Sequence, residues 1–152
     1  MTMTPPSSSH LLVMEDDAAL AHVLKALFAH FGMTCETVPA TRAALPWDLS
    51  RFSVILLDLN SPQPESQSLI KDIRATYSQP LIVISETLGG EQRTVALEAG
   101  ADFALQKPFF PGELLAIIRS LVQRRASAAS LRPVRQGRRS SSVTRSSAAA
   151  AS

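Results

Sequence analysis

Four short apolar runs, each followed by charged or hydroxyl-bearing residues, constrain the fold more than any other feature of the sequence. The runs are Leu11–Met14, Val54–Leu57, Leu81–Ile84 and Phe103–Leu105. An apolar run without polar alternation indicates a strand buried on both faces, which is typical of a parallel sheet between two layers of helices. In such a sheet all strands end at one edge, so the residues that follow the runs are expected to meet there.

The segments between these runs predict helices, so strands and helices alternate along the chain. Apolar residues recur at helical spacing over 17–31, and Gly32 follows as a C-terminal cap. A weak second helix near 41–45 is cut short by Pro46. The predicted strands are 10–14, 34–38, 53–57, 80–85 and 102–106, and the other helices are 66–77, Gly89 to Gly100, and Pro111 onward. Five such βα units predict an α/β fold, a flavodoxin-like doubly wound five-stranded parallel sheet with helices on both faces.

Charge divides the chain into an acidic body and a basic tail. The first 123 residues hold all 13 acidic and eight basic residues, a formal charge of −5, whereas the last 29 hold seven arginines and no acid, or +7. We predict a disordered lead-in at 1–9, one domain at 10–125 and a disordered Ser/Ala/Arg-rich tail at 126–152. The tail is either a solvated linker or truncated remnant of a longer protein, or an electrostatic arm for nucleic acid without base-stacking aromatics.

Nothing in the sequence predicts a membrane span or a secretion signal. No apolar run approaches the roughly 20 residues that a membrane helix needs, and residues 1–9 have neither a basic nor an apolar signal region. Cys35 is the only cysteine, which leaves no intramolecular disulfide and fits a reducing compartment. We therefore expect a cytoplasmic protein with no membrane association.

Carboxylates gather at the predicted carboxyl edge of the sheet. Glu15–Asp17 follow the first strand, where Asp17 is placed to cap the first helix, and Asp58 follows the third strand. Several carboxylates at one place repel each other unless a cation lies among them. A hard cation with oxygen ligands, most naturally Mg²⁺, resolves that repulsion.

This set of residues resembles the receiver domain of two-component response regulators, the CheY-like domains, and is most similar to the N-terminal half of OmpR/PhoB-type regulators. The matching stretches lie in the family's order along the predicted domain. They are Glu15-Asp16, Asp58, Ser85, Gly100-Ala101-Asp102 and Lys107-Pro108-Phe109. The resemblance implies the strand order 2-1-3-4-5.

The resemblance also implies a role for each of these residues. Asp58 would be the phosphoacceptor, attacking the phosphoryl group of a phosphohistidine on a sensor histidine kinase or a phosphotransfer protein. Ser85 and Lys107 would contact the phosphoryl group, with a cis peptide bond between Lys107 and Pro108. The implied magnesium ligands are Glu15, through water, Asp16, directly, Asp58, and the backbone near Asn60.

The chain departs from the family pattern at two positions close to the site. The residue eight places after Asp58 is usually glycine and is Ser66 here, so the intervening loop is expected to differ in backbone conformation. The family's switch aromatic, three places before Lys107, is Ala104. Phe103 is not a simple substitute, because neighbouring residues of a strand point to opposite sides.

A third departure concerns dimerisation. The face formed by helix 4, strand 5 and helix 5 of OmpR/PhoB-type regulators is partly preserved, which implies a possible homodimer. The matching charged residues are Arg93, Glu98, Asp102, Glu113 and Arg124. Phe103 and Ile117 replace charged residues of that subfamily, so we expect a more apolar dimer face or one that serves another partner.

The favoured function is a phosphoacceptor domain of a phosphorelay that controls transcription, with DNA contacted only indirectly or through the basic tail. It would not be an enzyme beyond self-catalysed phosphotransfer and slow autodephosphorylation. A stand-alone receiver, and a pseudo-receiver acting only through protein contacts, are the alternatives. A magnesium-dependent phosphohydrolase is disfavoured because Asn60, two residues after Asp58, is not the aspartate that such enzymes use.

Overall fold

The computed structural model describes residues 9–59 and 64–131. The strands are β1 (His10–Met14), β2 (Thr34–Val38), β3 (Val54–Leu59), β4 (Leu81–Ser85) and β5 (Phe103–Gln106). The helices are α1 (Ala18–His30), α2 (Pro64–Thr76), α3 (Gly90–Ala99) and α4 (Pro111–Leu131), with a short 3₁₀ turn at Arg42–Ala44. All strands pair in parallel in the order β2-β1-β3-β4-β5. The predicted fold and strand order are confirmed.

The sheet separates two apolar cores because successive strand residues point to opposite sides. Leu12, Ile55 and Val83 pack in the core that includes α2 and α3, whereas Val13 and Leu56 pack in the core that includes α1 and α4. β1, β3 and β4 supply buried side chains to both cores. This double burial is why these strands read as continuous apolar runs in the sequence.

The ends of α1 follow from local chemistry that the sequence predicts. Asp17 caps the helix, since its carboxylate accepts hydrogen bonds from the amides of Ala19 at 2.9 Å and Leu20 at 3.2 Å. After the last turn the chain passes through Gly32, whose φ of 79° lies in the left-handed region that favours glycine. Both features confirm the predicted bounds of this helix to within a residue.

The connection between β2 and β3 holds only the 3₁₀ turn where the sequence predicts a weak helix at 41–45. Pro46, two residues after the turn, cannot continue the hydrogen-bond ladder of a helix. Arg42 of this turn forms an ion pair with Asp72 of α2. Further along the connection, the side chain of Trp47 is 97% exposed.

The chain forms two compact units, residues 1–122 and residues 123–152, where the sequence predicts a division after residue 125. The sheet belongs to the first unit. In the second unit the described backbone is helical to Leu131, so residues 126–131 are not the disordered tail that the sequence predicts. Alanines at 126, 128 and 129 favour a helix there. The rest of the predicted tail and the predicted lead-in, apart from Ser9, lie outside the described residues.

Over the ranges that the structure describes, no helix combines the length and the apolar character needed to cross a membrane.

Candidate functional site

The residues singled out in the sequence meet at the carboxyl edge of the sheet. Glu15 follows β1, Ser85 is the last residue of β4, and Lys107 follows β5. Asp58 lies within β3, opposite Ile84 of β4, because the strand continues one residue beyond it to Leu59. The sequence places Asp58 just after the strand, so its backbone is held more firmly by the sheet than that prediction implies.

Asp58 and Lys107 form the charged centre of the site. The Lys107 ammonium lies 2.6 Å from Oδ2 of Asp58, and the aspartate is 4% exposed. The Lys107 amide donates to the Ser85 carbonyl at 2.9 Å, and the Lys107–Pro108 peptide bond is cis, as predicted. The backbone therefore fixes the place from which the lysine reaches Asp58.

Glu15 is the second buried carboxyl group of the site. Its Oε1 accepts a hydrogen bond from the Asp17 amide at 2.9 Å, and its side chain has little contact with solvent. Burial, and next the neighbouring Asp58 carboxyl group, raise the pKa of Glu15 to about 7, although the Asp17 amide and Lys107 act to lower it. Two buried carboxyl groups thus compete for a single ammonium.

Buried carboxylate oxygens without hydrogen-bond donors fit a cation. Within the described ranges, Oε2 of Glu15 and both Oδ atoms of Asp58 accept no hydrogen bond of good geometry, although Oδ2 contacts the Lys107 ammonium as an ion pair. Hard cations such as Mg²⁺ take oxygen ligands of this kind and keep several of their waters. These two side chains fit the predicted ion.

The other predicted magnesium ligands contribute less to this centre. Asp16 is exposed, and its Oδ1 accepts a hydrogen bond from the Ala40 amide at 2.8 Å. Asn60 lies outside the described residues. Among residues 9–59 and 64–131, no three Asp, Glu, His or Cys side chains form a group that could hold a metal ion by themselves. Water would therefore have to supply much of the coordination, and the individual ligand roles stay predictions.

Ser85 is buried and belongs to the hydrogen bonding of the loop that follows it. Its Oγ accepts from the Thr87 amide at 3.1 Å and lies 3.3 Å from Oγ1 of Thr87. Only 1% of the residue is exposed. Because a hydroxyl has one donor and two acceptor sites, Ser85 can donate to another partner while it still accepts from the Thr87 amide.

An open cavity of about 550 Å³ leads to Asp58. Its apolar walls are Leu20, Leu24, Ile84, Pro108 and Phe109. Its charged lining is Asp58, Lys107 and Glu86. Glu86 is not among the site residues predicted from the sequence. The signal for it was its place directly after Ser85, at the same edge of the sheet.

The two departures close to the site have visible structural settings. Ser66 lies in the first turn of α2, which begins two residues earlier than predicted. Ala104 is buried between the sheet and α3, and its carbonyl accepts a hydrogen bond from the Arg93 guanidinium. Arg93 of α3 is thus tied to the strand position at which receivers carry an aromatic residue.

The predicted dimer face is partly engaged within the chain and partly apolar. Asp102 accepts hydrogen bonds from Arg74 and from the Leu81 amide. Leu97 of α3 and Phe103 of β5 are 42% and 36% exposed. The exposed apolar side chains agree with the expectation of a more apolar face.

In a comparison with known families, residues 11–119 match the response regulator receiver domain. The chain is 31% identical over 125 residues to the protein PetR of Rhodobacter capsulatus, covering 82% of this chain and 52% of that one. It is 32% identical over 120 residues to the KDP operon transcriptional regulatory protein KdpE of Escherichia coli, covering 78% and 53%. The chain thus spans about half the length of these relatives.

Solved structures give the same fold. A CheY-like receiver domain protein from Methanospirillum hungatei superposes with a TM-score of 0.66 at 24% identity, covering 80% of this chain and 98% of that one. The receiver domain of the sensor histidine kinase PA1611 from Pseudomonas aeruginosa, with magnesium coordinated in its active-site cleft, gives 0.63 at 25% identity, covering 76% and 98%.

These matches define a signalling domain of two-component systems rather than a catalytic enzyme. The chain belongs to the response regulator receiver domain family, and its relatives include transcriptional regulators. The resemblance predicted from the sequence is confirmed.

Proposed function

We propose that this domain is the phosphoacceptor of a two-component phosphorelay, phosphorylated on Asp58 by a histidine kinase or a phosphotransfer protein. The observation that carries the proposal is the pairing of buried Asp58 with the Lys107 ammonium at 2.6 Å, in an open cavity. An aspartate in that setting is shielded from bulk water yet reachable by a phosphoryl donor. The reaction would take place in the cytoplasm.

The side chains present suit phosphoryl transfer, which depends mostly on positioning and charge neutralisation. A carboxylate oxygen of Asp58 attacks phosphorus, the N–P bond of phosphohistidine breaks, and the imidazole leaves with the electron pair. The Lys107 ammonium then neutralises charge on the phosphoryl oxygens. The Ser85 hydroxyl donates to one of them and can keep accepting from the Thr87 amide.

Magnesium, when bound, supplies further neutralisation of the phosphoryl charge. We propose that Glu15 and Asp58 hold it, with Asp16 and Asn60 completing the set implied by the family resemblance. The support in this chain is the group of buried carboxylate oxygens that lack hydrogen-bond donors among the described residues.

The walls of the cavity support contact with a donor protein. Leu20 and Leu24 of α1, together with Phe109, give it an apolar lining beside Asp58. A protein that brings phosphohistidine to Asp58 must cover this lining, and burying it would stabilise the encounter.

The proposed output is transcription, because named relatives are transcriptional regulatory proteins. The domain would pass the signal on through a homodimer formed by α3, β5 and α4, where Leu97 and Phe103 are exposed. The seven arginines from residue 124 onward would add salt-sensitive contacts with DNA phosphates. Binding to a short DNA duplex at increasing salt tests that arm, and absence of binding at low salt contradicts it.

A pseudo-receiver is the second candidate, favoured by the burial of Ala104 at the position of the switch aromatic. Intact mass after incubation with acetyl phosphate, with and without Mg²⁺, separates the two candidates. The proposed receiver gains one phosphoryl group only with Mg²⁺, and Asp58→Asn gains none. Asp48→Asn, a change in a loop outside the cavity, is the matched control and should behave as wild type. A folded wild type that gains no mass is a pseudo-receiver, and continuous phosphate release would indicate a hydrolase.

A further inference from the structure

The cavity beside Asp58 has an unbalanced charge. The charged residues that line it are two acids, Asp58 and Glu86, and one base, Lys107. Lys107 lies against Asp58 at 2.6 Å, and none of the ion pairs among the described residues includes Glu86. Glu86 therefore contributes a negative charge that Lys107 does not compensate.

The two carboxylates differ in depth. Asp58 is 4% exposed, whereas Glu86 is an exposed residue and so lies on the solvent side of the cavity. In a phosphoryl transfer the attacking and leaving atoms lie roughly in line on opposite sides of phosphorus. With Asp58 attacking from the buried side, the leaving group departs on the solvent side, where Glu86 is.

The backbone keeps Glu86 at this place. The Glu86 carbonyl accepts a hydrogen bond from the side-chain amide of Gln106 at 3.4 Å. The preceding residue, Ser85, is held at both its backbone and its side chain. Its carbonyl accepts from the Lys107 amide at 2.9 Å, and its hydroxyl accepts from the Thr87 amide at 3.1 Å. The position of Glu86 is thus tied to β5 and to the residue that carries the ammonium.

We propose that Glu86 is a specificity determinant that favours phosphoryl donors with a nitrogen-base leaving group over acyl phosphates. The inference rests on the proposed role of Asp58 as phosphoacceptor. In transfer from a phosphoimidazole, the ring nitrogen remote from phosphorus carries a proton, the N–P bond breaks, and neutral imidazole leaves with the electron pair. A carboxylate beside that ring attracts its positive charge and keeps it protonated.

The same carboxylate disfavours acetyl phosphate. There the O–P bond breaks and acetate leaves with the electron pair, so negative charge grows on the side of phosphorus that faces Glu86. The donor also arrives with more negative charge than phosphoimidazole. Both effects are repulsive and weaken with salt.

The test measures second-order rate constants of Asp58 phosphorylation by phosphoimidazole and by acetyl phosphate, at saturating Mg²⁺ and low salt, by intact mass. Glu86→Gln is expected to raise the constant for acetyl phosphate about two- to threefold and to lower that for phosphoimidazole by about as much. Glu86→Asp keeps the charge and should keep the wild-type preference. Glu91→Gln removes an exposed carboxylate of α3 outside the cavity lining and is the matched control.

The outcomes separate this inference from the proposed function. If Glu86→Gln changes both constants by the same factor or changes neither, or if Glu91→Gln reproduces its effect, Glu86 does not select the donor. If the wild type takes up no phosphoryl group from either donor, the phosphoacceptor role of Asp58 is wrong, and the inference is overturned with it.

Discussion

The Arg74 guanidinium lies 2.7 Å from Oδ2 of Asp102 and joins the end of α2 to the start of β5. The same carboxylate oxygen accepts a hydrogen bond from the Leu81 amide at 2.8 Å. The other guanidinium nitrogens donate to the carbonyls of Tyr77, Gln79 and Gly100. One side chain thus satisfies the backbone of two loops at the amino edge of the sheet, the edge opposite Asp58 and Lys107.

Arg74→Ala is expected to lower the free energy of unfolding by about 2–4 kcal/mol, because partly buried carbonyls and a carboxylate lose their donors. Urea denaturation followed by circular dichroism measures this loss. Arg42→Ala, which breaks the ion pair with Asp72 at an arginine side chain 72% exposed, is the matched control and should cost about 0–1 kcal/mol. Equal losses in the two variants would contradict the assigned role of Arg74.

The raised pKa of Glu15 predicts that stability without magnesium falls as pH rises. The folded protein holds the Glu15 proton up to about pH 7, whereas the unfolded chain loses it near 4.5. The folded state binds the proton more tightly, so its stability decreases between these two values, by about 3 kcal/mol. Glu15→Gln should match the wild type at pH 4 and exceed it by that amount at pH 8.

Urea denaturation in a chelating buffer at several pH values checks this difference between variant and wild type. A difference that does not change between pH 4 and pH 8 would show that Glu15 ionises normally in the fold. Adding magnesium chloride is expected to reduce the advantage of the variant at pH 8, because the ionised carboxylate then gains a cation.

The lowered pKa of Glu36 predicts that stability falls as the pH decreases, the opposite of the effect of Glu15. Hydrogen bonds from Arg51, and next from His10, lower the pKa of Glu36 to about 2. Its stabilising contribution is complete above pH 4.5 and is lost as pH falls towards 2. The side chain is 39% exposed, so solvent screening limits the effect, and Glu36→Gln should cost about 0.5–1 kcal/mol at pH 7.

The cost of Glu36→Gln should shrink as the pH falls below 4.5 and be small at pH 2, where the carboxyl group of the folded wild type is about half protonated. Thermal unfolding of both proteins across this range measures it. Glu65→Gln removes another exposed carboxylate, away from the contacts of Glu36 with His10 and Arg51, and is the control.

A substitution at Phe110, the residue before α4, is expected to stabilise the fold. Its carbonyl accepts from the Glu113 amide at 2.9 Å, so it is the N-cap of α4, yet its side chain offers no acceptor and is 81% exposed. Phe110→Ser supplies a capping hydroxyl and should raise the free energy of unfolding by about 0.5–1 kcal/mol. Phe110→Ala removes the ring without adding a cap. The serine variant should therefore be the more stable of the two in urea denaturation, and an equal result would argue against the missing cap.

The sequence predicted the sheet well because double burial leaves a direct trace in apolar runs such as Val54–Leu57. It also predicted that Asp58, Ser85 and Lys107 lie at one edge of the sheet, because the carboxyl ends of parallel strands are all at the same edge. It did not predict that Arg74 links two loops, because an arginine in a helix looks the same in sequence whether it is solvated or bonded to distant carbonyls. Nor did it predict the contact of Asp16 with the Ala40 amide, because the backbone geometry of a loop leaves no pattern in the sequence.

Helix propensity explains the remaining differences. Pro46 reduces the predicted helix at 41–45 to one 3₁₀ turn, because proline removes a donor and clashes with the preceding turn. Alanines beyond residue 125 extend α4 into a segment that its serines and arginines made look disordered. In both places the helix propensity of individual residues decided the structure, and the average composition of the segment did not.

The exposure of Trp47 gives the chain a built-in fluorescent probe of its surroundings. It is the only tryptophan in the sequence, and its indole is surrounded by solvent in the folded domain. Its emission maximum should therefore change little when the domain unfolds. A blue shift at constant fold would instead mark a molecule that has covered the connection between β2 and β3, so binding can be followed without attaching a dye.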